Sequence, residues 1–346
     1  MKPRFVPVLV LLIVGLCAVE VMAGYSVPVF RYALERWKPS PYHLTVFHRG
    51  SVSAQNLRDL AALESIDPPM NLRLEVVDTS QSYRDSLKQL FATRPPDTKG
   101  PWCALTEPDA DPNAPPLWSG PLDLTTIRAY LDSPMRREVQ SLLIDGYSVV
   151  FLFLESGNDG DDELVDEMLK RELSRLTDIL DLPPSTPDDL GLVYDFPVGI
   201  RFQVRRLSRD DPTEAPLIRM LLNVEDDLDQ ERGPIVFPVF GRGRVLTPLY
   251  QETLRAGHIE EIARFLCKTC ECRVKDITPG TDLPMIDVWD SLLRARVVEA
   301  EFEMLPEPHE PELVGAADPG LLSAILLVGV LVFMGVLRAV RRGKAK

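Results

Sequence analysis

The amino-acid sequence predicts an α/β fold: two mixed β-sheets with helices on both faces, followed by a C-terminal transmembrane helix. Three observations lead there. Apolar strand patterns alternate with helical ones over residues 42–133, and the alternation begins again over 147–272; strands separated by helices imply parallel pairs with helices packed on the sheet faces. A Gly-Pro pair, a hairpin pattern and a closing helix occur in each half, at Gly100-Pro101 and Gly233-Pro234, which reads as an internal duplication. Near the end, Leu321 to Leu337 carries no charge and runs straight into Arg338, Arg341, Arg342, Lys344 and Lys346.

At the start of the chain, Lys2 and Arg4 precede an apolar run from Phe5 to Ala18, and Val21-Met22-Ala23 gives small-residue spacing before Gly24. Residues 1–23 therefore read as a signal peptide. The run is shorter than the roughly 20 residues of a spanning helix, and Leu16 before Cys17 departs from a lipoprotein processing site.

The first domain is expected over 24–145. Its strands are His43–His48, Leu72–Val77, Trp102–Thr106 and Leu117–Leu122. Helical spacing of Leu57, Leu60 and Ala61, then of Tyr83, Leu87, Leu90 and Phe91, places helices between them, and a last helix begins near Thr125. The second domain, 146–296, opens on the continuous apolar strand Val149–Leu154 and a helix over Asp162–Leu180. Strand Arg201–Arg205, a hairpin of IVFPVF and RVLTPL, and a helix over Ile259–Leu266 follow. Residues 297–320 are acidic and proline-containing and read as a stalk, 321–337 as the membrane span, and 338–346 as a basic tail. Positive charge marks the cytoplasmic side, so the body is expected outside, on the periplasmic side of a bacterial envelope.

Composition narrows the partners. The two ends hold seven of the 38 Lys and Arg and one of the 52 Asp and Glu, leaving the body at net −20. That charge disfavours nucleic acid and anionic lipid.

The stretch Arg232 to Val245 (RGPIVFPVFGRGRV) resembles the segment of thioredoxin-family proteins in which a cis-proline opens a strand that pairs antiparallel after a glycine turn. Pro234 matches that cis-proline and Pro101 is its counterpart in the first half; the order of elements over 42–133 and 147–272 is similar to the family as well. The family's thiol-disulfide chemistry needs Cys-x-x-Cys at the start of a helix, whose N-terminus lowers the thiol pKa. The matching positions here are Gly50 to Gln55 and Ser156 to Asp161, and neither contains cysteine. The resemblance therefore implies redox-inactive binding or spacing modules.

The sharpest local motif is Cys267-Lys-Thr-Cys270-Glu-Cys272. With Cys103 it offers four thiols for two disulfides in any of three pairings, for a metal, or for a redox pair, and an exported protein favours disulfides. A bridge from Cys103 would pin the two halves together. His48 beside Ser51 lacks the sequence context of a hydrolase nucleophile and reads as a strand end next to a helix cap. Asn158 to Glu163 is acidic but does not fit an EF-hand frame. Arg242 and Arg244 fall at a glycine-rich hairpin tip, where they are candidates for contacting a partner. No catalytic residue, metal or cofactor is expected. The expected function is a membrane-anchored interaction or scaffold module for another envelope or membrane protein; the alternatives are a thiol or metal protein using the cysteine cluster, and an accessory subunit of an envelope transporter.

Overall fold

The computed structural model describes residues 27–108, 110–111, 114–183, 194–195, 199–270, 275 and 280–297, and these belong to one compact unit. The chain enters through helix α1 (Val29–Arg36) and then builds the first sheet in the order β1 (Tyr42–His48), α2 (Ala54–Glu64), β2 (Leu72–Asp78), α3 (Asp85–Ala92), β3 (Trp102–Thr106), β4 (Trp118–Pro121) and α4 (Leu124–Leu131). The strand order is β2-β1-β3-β4, with β1 parallel to β2 and antiparallel to β3. Two of these helix starts are capped locally. Ser53 caps α2 by accepting the Asn56 N–H at 3.1 Å, and Asp123 caps α4 by accepting the Thr126 N–H at 3.0 Å. Leu44, Val46, Cys103 and Leu105 point into a core under α2 and α4, while Phe47, Trp102 and Ala104 form a second core with Leu87 and Leu90 of α3.

Helix α5 (Pro134–Ile144), capped by Ser133 with proline at its first turn, leads into the second sheet. That sheet contains β5 (Val149–Leu154), α6 (Asp159–Ile179), β6 (Phe202–Leu207), α7 (Ala215–Leu222), β7 (Ile235–Phe240), β8 (Arg244–Val245), β9 (Leu249–Tyr250), α8 (Ala256–Cys267), β10 (Thr281–Asp282) and α9 (Trp289–Ala295). Its central pattern repeats the first: β5 is parallel to β6 on one side and antiparallel to β7 on the other. The strand expected after the hairpin is split into β8 and β9, which pair with opposite ends of β7. The break falls opposite Pro238, which has no N–H to give to the ladder, while its carbonyl accepts the Leu246 N–H at 2.9 Å. Val149, Phe151 and Phe153 face a core with α1, α6 and α8; Val150, Leu152 and Leu154 face another with α5, α7 and α9.

The two sheets are stitched through the loop before β2. Asn71, only 5% exposed, donates from Nδ2 to the carbonyls of Ser40 and Leu283, each at 3.1 Å, and accepts the Met285 N–H at 2.8 Å. The Asp287 N–H reaches the Pro69 carbonyl at 2.7 Å, and Gln140 of α5 donates to the Ile286 carbonyl at 2.7 Å. Met220 of α7 completes the core of the first sheet.

Two expectations are corrected. The fold is a mixed α/β body with two mixed sheets, and no helix among the described residues is long and apolar enough to cross a membrane. The longest, α6, is amphipathic, its buried residues forming one stripe on a strongly charged segment. The stretch 321–337 that was to supply a transmembrane helix lies outside the described residues, as do 1–23, 298–320 and 338–346. The bonds before Pro101 and Pro234 are trans; Asp67–Pro68 is the cis bond among the described residues. Trans is the default even before proline, by about 0.5–1 kcal/mol.

Replacing Asn71 with alanine leaves two buried carbonyls and one N–H without their side-chain partner. A loss of about 1–3 kcal/mol is expected, read as a lower urea midpoint at unchanged slope; an unaltered midpoint would show that the stitch contributes nothing.

Candidate functional site

In an open α/β sheet, ligands bind outside the carboxyl ends of the strands, at the point where neighbours on the two sides run differently. Strand β1 is such a point. Beyond its end lies a cleft of about 580 Å³ lined by the β1–α2 turn, Thr79 after β2, Tyr83, Phe91 and Arg94 from the α3 region, and the Gly100-Pro101-Trp102 entry to β3. Its size is that of a small-molecule or short-peptide site. Phe47, Tyr83, Phe91 and Trp102 form an aromatic cluster with ring centroids 5.1 to 6.5 Å apart.

Polar groups rim this cluster. His48 Nδ1 lies 3.0 Å from the Gly50 carbonyl. A carbonyl only accepts, so Nδ1 is the donor in this contact. Ser53 and Asn56 bring the N-terminus of α2 to the cleft. Arg94 donates to the Thr98 carbonyl at 3.0 Å and lies 4.8 Å from the centre of the Phe91 ring. Asp78, at the end of β2, accepts N–H groups from Ser80 and Gly50 and the Ser80 hydroxyl. Those hydrogen bonds, chiefly from Ser80, hold its carboxyl down at about 2. Ser51 and Ser53 line the cleft near His48, and Ser53 Oγ is engaged in its helix cap. The cleft thus presents a cluster of mutually tilted aromatic rings with hydrogen-bonding groups around it.

The equivalent place in the second sheet is filled. Arg209 donates Nε to the Glu155 carbonyl and Nη2 to the Gly233 carbonyl, each at 2.8 Å, bridging the end of β5 to the entry of β7. Asp162, 2% exposed, accepts from the Ser156 N–H and hydroxyl and from the Gly157 N–H at 2.8 to 3.0 Å. The acidic stretch Asn158 to Glu163 thus serves the start of α6.

The cysteines do not come together as a set. Cys103 lies in the core of the first sheet, whereas Cys267 and Cys270 share a core of the second; Cys272 lies outside the described residues. The expected link between halves through Cys103 is absent, because β3 turns that side chain toward α2 and α4. Cys103 and Cys267 are buried free thiols, and burial pushes both up to about 12. Among the described residues no three His, Cys, Asp or Glu side chains converge as a metal site.

Arg242 and Arg244 are buried rather than displayed at a tip. Arg242 donates to the Leu34 and Glu35 carbonyls at the end of α1, at 2.7 and 3.0 Å, and pairs with Asp290. A cation there complements the helix dipole. Arg244 pairs with Asp282 at 3.0 Å, and Lys275 reaches the same carboxylate at 3.1 Å. The intervening glycines allow close approach: a Cβ on Gly241 would sit 2.7 Å from the Ala33 Cβ, and one on Gly243 2.2 Å from the Met285 sulfur. The expectation of a displayed pair fails because the turn is covered by α1 and the segment around Met285.

Sequence reasoning reached His48 and Ser51 but passed over Arg94, Thr98 and Trp102. The switch-point rule applied to the expected strand order was the signal that could have found them. No family model matches the chain, and no curated protein matches it.

Two outcomes are expected. Iodoacetamide at pH 8, with labelled sites mapped by mass spectrometry, should leave Cys103 and Cys267 unmodified in the folded protein and modify both in urea, since a buried thiol at about 12 is almost wholly protonated. Burial raises the Asp282 pKa, but Arg244, Lys275 and the Ser40 N–H outweigh it and the net shift is downward. A lowered carboxylate contributes stability that is present above the unfolded value near 3.9 and is lost as pH falls through the folded value. Asp282→Asn should flatten that acid limb of the stability profile and cost about 3–5 kcal/mol at neutral pH, because Arg244 and Lys275 lose their shared counter-charge.

Proposed function

We propose that this protein is an extracytoplasmic, membrane-held interaction or scaffold module whose two sheets are redox-inactive thioredoxin-like units. The single observation that carries the reading is the contrast between the two strand-end sites. The first is an aromatic-walled cleft with hydrogen-bonding groups around it and no cysteine in its lining; the second is bridged by Arg209. A cleft of that make-up holds a partner's side chain or chain end.

Two further points support it. The order of elements in the first half, strand-helix-strand-helix-strand-strand-helix, supports the thioredoxin-like reading. Cys267, one of the three clustered thiols that a redox reading would use, is buried and held protonated, as is Cys103. The membrane-held location rests on the sequence at the two ends of the chain.

A photocrosslinking amino acid at Ser53, on the cleft rim, should give a discrete adduct in native membranes, while one at the exposed Arg171 on α6 gives none. The same preparation should not reduce a disulfide substrate. Thiol-dependent turnover that disappears in Cys267→Ser would overturn the reading in favour of a redox protein, and equal crosslinking from both positions would remove the cleft as the docking site.

A further inference from the structure

We infer that the cleft of the first sheet recognises an oxyanion carried on an aromatic or apolar body. The inference deepens the proposed function and rests on the cleft being the docking site. Four observations converge on it.

The first is the charge of the lining. The chain has 52 Asp and Glu against 38 Lys and Arg, yet the charged side chains lining the cleft are Arg49 and Arg94, and no carboxylate is among its lining residues. The neighbouring acid, Asp78, already accepts hydrogen bonds from Gly50 and Ser80.

The second is availability. Neither Arg49 nor Arg94 is ion-paired among the described residues. Arg94 is held in place by the Thr98 carbonyl and the Phe91 ring, each of which leaves guanidinium N–H groups for a ligand. A held guanidinium loses little freedom on binding and presents a planar fork that matches carboxylate or phosphate oxygens.

The third is an orphan donor. Trp102 lines the cleft at 1% exposure, and its indole Nε1 has no hydrogen-bond partner among the described residues. Indole N–H groups this deep almost always find one, and an acceptor from a bound ligand supplies it.

The fourth is the positive end of α2. Ser53 and Asn56 belong both to the first turn of this eleven-residue helix and to the cleft lining. Helix starts stabilise negative charge. The aromatic wall beside these donors makes an unaccompanied inorganic anion a poorer fit than one attached to a ring or apolar chain.

The test is calorimetric titration of the full chain with benzoate, phenyl phosphate, inorganic phosphate and the neutral benzyl alcohol. One or both aromatic oxyanions should bind at least about tenfold tighter than benzyl alcohol, the worth of a charge-assisted hydrogen bond in a partly dry site. Arg94→Gln should weaken that binding by about tenfold or more, with Arg94→Lys recovering part of it, and Trp102→Phe should weaken it while keeping the wall. Thermal unfolding of each variant checks that the fold survives. A preference for benzoate assigns the oxyanion to a carboxylate, and a preference for phenyl phosphate to a phosphoryl group. Equal binding of benzyl alcohol, no binding of any probe up to roughly 10 mM, or unchanged affinity in the folded Arg94→Gln protein overturns the inference. Crosslinking from Ser53 together with such a failure would leave the docking site standing and remove only its oxyanion chemistry.

Discussion

Val149 to Leu154 place six apolar side chains at zero exposure in the middle of the second sheet, so water has to be excluded from both faces of one strand at once. Much of the remaining architecture answers that requirement. A strand of this kind cannot survive with one face wet, and burying each Val, Leu or Phe contributes about 1.5–3 kcal/mol. Three helices cover each side. One of them, α1, comes from the far N-terminal end of the chain, and Arg242 holds its last carbonyls against the hairpin beside β5. The buried ion pairs, the close glycine turn and the capped helix are consequences of covering that strand.

The first sheet is less demanding, and it is where the cleft opens. Its edge strand β2 is largely half-buried, and the sheet borrows Met220 from α7 to complete its core. Asn71 is the residue through which this lighter half is tied to the heavier one. The Asn71 side chain matches two carbonyls and one N–H, something an apolar contact could not replace without orphaning polar backbone. Repetition of one strand pattern thus yields two units of unlike character: one end site is filled by a guanidinium, and the other stays open.

The long strands and most of the long helices were legible in the sequence, while β10 was not expected and one expected strand is split into β8 and β9. Runs such as HLTVFH and VVFLFL, and the 3.6-residue spacing of Leu87, Leu90 and Phe91, mark elements that appear within a few residues of their expected places. Helices α1, α5, α7 and α9 were not foreseen; α1, α7 and α9 are short and bounded by few of the usual start and stop residues, whereas the Ser133-Pro134 start of α5 was passed over. The site was half legible. His48 and Ser51 lie on one continuous segment, while Arg94 and Trp102 are brought beside them by the crossing of β1 and β3, which local pattern cannot report. The arginines of the hairpin misled for the opposite reason: glycine-rich turns usually face water, and this one is roofed by a helix more than 200 residues away in sequence.

Helix α1 has a consequence for the order of events as the polypeptide is made. Its backbone is locked to the far end of α8, with the Val29 N–H on the Lys268 carbonyl at 3.0 Å and the Cys270 N–H on the Val27 carbonyl at 2.9 Å. A chain emerging from its N-terminus therefore makes an amphipathic helix whose backbone partners after α8 follow only some 240 residues later. During that interval the strands of the first sheet can pair, but Met220 and the Leu283 and Met285 partners of Asn71 have yet to arrive, and the second sheet cannot close. Completion of the body is thus tied to arrival of its last third, and a nascent chain cut short before α8 remains recognisably unfinished.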